Sequence, residues 1–188
     1  LILGVKMCGR FVLSNFTDVK DFHNILIEPS YNIAPSHTTL IFNQEMKPDF
    51  LEWGYSPIWA KKPMNLINAK YESLDIKPSF KDYETCVFVA DGWFEWQKNP
   101  SGEKHPIFIH ADNEIFYFAG IKNASGAAIV TINAHPSLTN IHRRQPMFLD
   151  RLETSFWLKD KQKVSSSSLL ERIKSHPVSK YVNSPINN

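Results

Sequence analysis

Cysteine is scarce: Cys8 and Cys86 are the two thiols in 188 residues, with no paired framework and no CxxC motif. A domain of this size has no need of a disulfide, so a reducing cytoplasm is the expected setting. No apolar run approaches the ~20 residues that cross a bilayer, and no membrane association is expected. The opening Leu-Ile-Leu-Gly-Val-Lys-Met lacks the basic start, long apolar stretch and small-residue cleavage site of a secretory signal. Residues 1–7 are instead read as an upstream extension or propeptide-like segment, with one domain over residues 8–188. Nor is there a surplus of one charge: the net value is +2, so affinity for a polyanion has to come from a local basic patch. No cluster has metal-ligand spacing, and neither a metal nor another cofactor is expected.

What is present is aromatic. Thirteen Phe, six Tyr and five Trp favour strand-rich packing and supply surfaces for stacking. Strands are expected over Arg10–Leu13 and over residues 38–43, 50–53, 106–110, 115–121 and 127–133, and residues 86–97 read as one long extended segment. Asn99-Pro100-Ser101-Gly102 and Asp112-Asn113 are turn signals between them. Val19, Phe22, His23 and Leu26 recur at helical spacing, which predicts a helix over residues 18–27, stopped by Pro29. Further helices are expected over residues 150–160 and 167–174. The fold class is therefore α+β: a β-rich, barrel-like antiparallel sheet with a few flanking helices in a single domain, expected to be monomeric.

Four segments can carry chemistry. In Met7-Cys8-Gly9-Arg10-Phe11, loss of the residues before Cys8 leaves an amine and a thiol on adjacent carbons. Their pKa values lie near ~8 and ~8.5. An amine condenses with an aldehyde to a Schiff base, and the neighbouring thiol then closes a thiazolidine. A buried structural cysteine is the alternative. In Asp91-Gly92-Trp93-Phe94-Glu95-Trp96, strand alternation puts Asp91, Trp93 and Glu95 on one face, where a carboxylate between tryptophans is desolvated and suited to proton transfer. The alternative is an edge-strand glutamate paired to lysine. Asn68, in Leu66-Ile67-Asn68-Ala69-Lys70, is either a substrate-positioning amide or a turn or cap residue. His142, beside Arg143 and Arg144, suits acid–base chemistry next to a phosphate backbone, or is a structural histidine among surface charges.

Taken together with Tyr31-Asn32-Ile33-Ala34-Pro35, Trp53-Gly54 and His176-Pro177-Val178-Ser179, these segments resemble the SOS-response-associated peptidase family, in order from residue 7 to about residue 182. Members are also described as abasic-site processing proteins. The resemblance implies a self-processing peptidase (a hydrolase) of DNA repair and the SOS response. Cys8, freed by removal of what precedes it, would form a covalent thiazolidine crosslink with an abasic site in single-stranded DNA, a lyase-like chemistry. It implies catalytic roles for Cys8, Asn68, Glu95 and His142, with Glu95 as general acid/base, His142 assisting sugar opening and Asn68 positioning the amine or sugar. Arg10 and Arg144 match phosphate-contacting positions, and Lys70 stands where the family usually has arginine, which removes the bidentate fork. Pro35, Trp53 and Trp59 fall in segments that border the DNA groove and can stack on or wedge between bases. A non-covalent DNA-binding module and a thiol peptidase acting on other proteins are the alternatives, the latter from Cys8 with His142 and Glu95 or Asn68.

Overall fold

The computed structural model describes residues 7–15, 25–112, 114–164 and 167–188. Strands come in chain order as β1 (Arg10–Leu13), β2 (Ser30–Ile33), β3 (Thr38–Phe42), β4 (Pro48–Glu52), β5 (Asn68–Lys70), β6 (Glu84–Ala90) and β7 (Gly92–Lys98). They continue as β8 (Lys104–His110), β9 (Phe116–Asn123), β10 (Gly126–Asn133), β11 (Arg144–Pro146), β12 (Phe148–Leu149) and β13 (Lys174–Pro177). The α-helices among the described residues are α1 (Thr154–Asp160) and α2 (Ser167–Leu170). The expected α+β, β-rich single domain is what forms. The helix expected over residues 18–27 falls mainly outside the described residues, and residues 25–27 are not helical.

The sheets do not close into a barrel. One has the order β13-β8-β7-β1-β2; the other runs β11-β10-β9-β6-β3-β4, with β12 paired to β9 and β5 paired to β10. A bridge between Trp53 and Ala127 curls the second sheet towards itself without completing a cylinder. Its central strands read Thr-Cys-Val-Phe-Val-Ala in β6 and Phe-Tyr-Phe-Ala-Gly-Ile in β9, apolar on both faces because both are covered. Between the sheets lies an aromatic core. Phe11 meets Trp53 edge-on at 5.2 Å, and Trp93 meets Phe116 and Phe118, each at 5.9 Å. Such pairs add about 0.5–1.5 kcal/mol each beyond the area they bury.

Residues 86–97 are two strands in different sheets rather than one. The break is Asp91, whose Oδ2 accepts from Ser14 N at 2.6 Å and Asn15 N at 2.7 Å, so the chain turns across the corner. Gly92 has no room for a side chain: a Cβ there would lie 2.3 Å from the Phe108 ring. Residues 167–174 also depart from expectation. Helix α2 ends at Leu170, and Lys174–Pro177 pairs with the free edge of β8, an edge position that tolerates a proline without an N–H.

Candidate active site

Cys8 lies two residues ahead of β1, and the register Arg10↔Phe94 and Phe11↔Trp93 lays that strand along β7. Alternation along β7 sends Trp93 into the main core and Phe94 into a small cluster with Val12 and Val182 on the opposite face. Glu95 therefore points inward with Trp93, as expected, and is 3% exposed. Asp91 does not share that face, because it caps the Ser14 turn.

Inside, Glu95 Oε1 accepts the Cys8 amide N–H at 3.0 Å. From the other sheet, Asn68 Nδ2 donates to the carbonyl oxygen of Met7. Asn68 is held by β5, which runs parallel to β10 with Asn68 opposite Ile129, so of the two readings the turn or cap gives way to a strand. The Met7–Cys8 peptide is thus gripped at its oxygen by an amide and at its nitrogen by a carboxyl group. Cys8 has φ of 39°, a left-handed conformation that costs a non-glycine residue about 1–3 kcal/mol.

The electrostatics follow from burial. Desolvation lifts the Glu95 carboxyl from its ordinary 4.5 to about 8, against the Cys8 amide bond that favours the ionised form. Burial, and then the Glu95 charge, push the Cys8 thiol well up. Desolvation lowers the His142 imidazole, with the charges of Arg143, Lys104 and Arg144 acting in the same sense and the Arg144 backbone opposing. His142 Nδ1 lies 3.1 Å from both the N–H and the carbonyl oxygen of Arg144: the neutral ring accepts from the first, and the protonated ring would donate to the second. At neutral pH the site accordingly offers a protonated acid and an unprotonated base.

Two cavities flank this peptide and share Ile67 and His142. One, about 500 Å³, is lined by Glu95 with Arg10, Pro35, Trp96, Lys104 and Asn183. The other, about 470 Å³, is lined by Met7, Asn68 and Lys70 with Arg143 and Arg144. Residues 7–185 match the family described as SOS response associated peptidase (SRAP).

The chain belongs to that family. It is 32% identical to the abasic site processing protein YoqW of Bacillus subtilis (strain 168), over 97% of this chain and 96% of that protein. It is 31% identical to the abasic site processing protein YedK of Escherichia coli (strain K12), with 94% of each covered. A crystal structure of a Bacteroides thetaiotaomicron protein superposes with a TM-score of 0.71 at 20% identity, covering 96% of this chain and 97% of that one, which bears on the fold alone.

Cys8, Asn68, Glu95 and His142 are brought together in this SRAP chain, and Arg10, Pro35 and Lys70 line its cavities. Trp59 stands apart, 60% exposed, its indole N–H on the Pro78 carbonyl. Two expectations need correction. Trp53 is fully buried and donates to the Ile67 carbonyl at 2.8 Å, so it braces the strand leading to Asn68 and has no ring face free for a base. Arg144 is spent on internal partners: Glu72, Asn133 Oδ1 at 2.9 Å and the Thr131 carbonyl at 2.7 Å. Lys104 and Asn183 were not legible as site residues. Asn183 accepts the Trp96 indole N–H at 2.8 Å through its side chain, and its carbonyl accepts from Arg10 at 3.4 Å. Those contacts span 87 and 173 positions, and no local signal marks them.

Proposed function

We propose that this SRAP chain cleaves its own Met7–Cys8 peptide and then captures the aldehyde of an abasic site in single-stranded DNA as a thiazolidine on Cys8. One observation carries the reading: Asn68 holds the Met7 carbonyl oxygen while Glu95 holds the Cys8 nitrogen. Attack of the Cys8 sulfur on the Met7 carbonyl carbon closes a five-membered ring of S, Cβ, Cα, N and that carbon. A thiazolidine ring contains the same five positions, with the sugar's C1′ in place of the Met7 carbon. A site that steadies the first ring is therefore shaped for the second. The names of the relatives, abasic site processing proteins, point the same way.

In the first reaction the thiol gives its proton to His142 as sulfur adds, and negative charge gathers on the oxygen bonded to Asn68. The C–N bond breaks, the nitrogen takes a proton from Glu95, and water hydrolyses the thioester to the Met7 carboxylate and a free thiol. In the second, the amine adds to C1′ of the ring-opened sugar. Glu95 protonates the departing hydroxyl, which leaves as water and gives the imine. The sulfur adds to the imine carbon as the nitrogen regains a proton. His142 assists the sugar's opening, and Arg10, Pro35, Lys70 and Trp59 are available to the strand.

Peptidase action on other proteins is disfavoured. While residue 7 is attached, the fully buried thiol is out of reach of a foreign peptide, whereas the adjacent Met7 carbonyl needs no access from outside. The test is incubation of protein starting at Cys8 with an oligonucleotide carrying one abasic site, followed by a denaturing gel. A shifted band, lost in Cys8→Ala, is expected; correctly processed protein that leaves the oligonucleotide unshifted defeats the reading.

A further inference from the structure

We propose that the apolar seat of Met7, at the edge of the cavity beside Asn68, is a specificity subsite for the side chain of residue 7, fitted to a flexible, uncharged apolar group, and that its occupant sets the rate at which the chain cuts before Cys8. The inference rests on the self-cleavage proposed above and names what that step selects. Met7 is 7% exposed and joins the main apolar core, although its backbone carbonyl is engaged at a polar site. The cavity that Met7 borders is also lined by Met64, Leu66 and Ile67. The lining also carries Lys70, Arg143 and Arg144, the last of them paired with Glu72.

One short segment, Leu66 to Asn68, connects the subsite to the chemistry. Leu66 and Ile67 furnish apolar wall, and the next residue, Asn68, grips the carbonyl. The segment is fixed from behind by Trp53 on the Ile67 carbonyl and by the Ile129 N–H on the same oxygen at 3.0 Å. A side chain packed in the core at the cavity's edge and a carbonyl seated on Asn68 constrain residue 7 at two points, which holds the carbonyl carbon in reach of the Cys8 sulfur. Methionine suits such a wall because its unbranched thioether adapts to irregular space. A lysine of similar length would carry a cation into a lining that is already positive, and glycine would leave the side-chain anchor empty.

The test follows cleavage over time by intact mass in full-length chains sampled during cell-free synthesis. Met7→Leu should cut within about threefold of the wild type, whereas Met7→Lys and Met7→Gly should be slower by about tenfold or more. Equal rates in all four chains overturn the subsite, and so does a wild-type chain that never cuts. The DNA reading is judged separately, by the adduct formed from protein that starts at Cys8, so either can fail while the other stands. Thermal unfolding of each chain identifies a variant that has lost its fold, and Met7→Leu against Met7→Gly decides the matter if Met7→Lys has.

Discussion

Replacing Glu95 with glutamine should remove a pH-dependent penalty that the site imposes on the whole fold. The carboxyl ordinarily titrates near 4.5 and is held at about 8 by burial. At ~1.4 kcal/mol per pH unit, the gap amounts to about 5 kcal/mol against the ionised folded form. The unfolded chain gives up this proton near 4.5 and the folded chain near 8, so between those values the folded chain binds more protons and stability falls as pH rises. Below that window the penalty is absent, and above it the penalty is complete. His142 acts oppositely: its ring is lowered below 6.5, so its contribution grows with pH up to that value. It is present in both chains and cancels in their difference. Urea unfolding from about pH 4 to about pH 9, in Cys8→Ala chains where the peptide after Met7 stays intact, isolates Glu95. The difference should move by about 5 kcal/mol in favour of the glutamine chain across the window. A difference that stays flat refutes burial as the source of Glu95's acidity, and with it the supply of a protonated acid at neutral pH.

Arg144→Ala should cost about 2 kcal/mol in urea denaturation, because the Thr131 and Asn133 acceptors lose a charged donor. The salt dependence of oligonucleotide binding should hardly change; a large fall in that slope would return Arg144 to a phosphate-contacting role. Lys104→Ala should lower the slope of log K against log salt by about one and raise the NMR-titrated pKa of His142, on which Lys104 acts as a like charge. An unchanged His142 titration contradicts that electrostatic link.

Local pattern carried the strands well. Arg10–Leu13 forms where its apolar run ends at a polar Ser-Asn pair, and the turns at Asn99 and Asp112 separate β7, β8 and β9 as their residue types require. Glu95 was readable because strand alternation gives its face directly. The failures share a cause: they depend on partners distant in sequence. Asp91 breaks an otherwise unbroken apolar run only because Ser14 and Asn15 present backbone N–H groups to it. Lys174–Pro177 extends because β8 offers an open edge, whereas Ser-Leu-Leu alone reads as helix. Trp53 sits in a segment of Trp, Tyr and Pro whose composition fits a groove wall and a buried strut equally, and the Ile67 carbonyl decides between them.

The open form of the two sheets has a direct connection to the chemistry. Asn68 comes from the eight-stranded sheet and Glu95 from the five-stranded sheet, and Cys8, just ahead of β1 in that second sheet, has its preceding peptide held by both. A closed cylinder would seal the interval in which those groups meet. The site is also where the fold bears local costs: the left-handed Cys8, the desolvated Glu95 carboxyl and the buried Asn68 Oδ1, which has no partner among the described residues. Each is destabilising by itself, and the aromatic core around Phe11, Trp53 and Trp93 offsets them. Breaking the peptide before Cys8, as proposed, would release two of these at once. The φ constraint would vanish with the bond that defines it, and an ammonium group beside Glu95 would stabilise its carboxylate. On the proposed self-cleavage, the strained precursor would be driven towards the product, and the same carboxyl would be left beside a new amine, where it could move protons between that amine and an aldehyde.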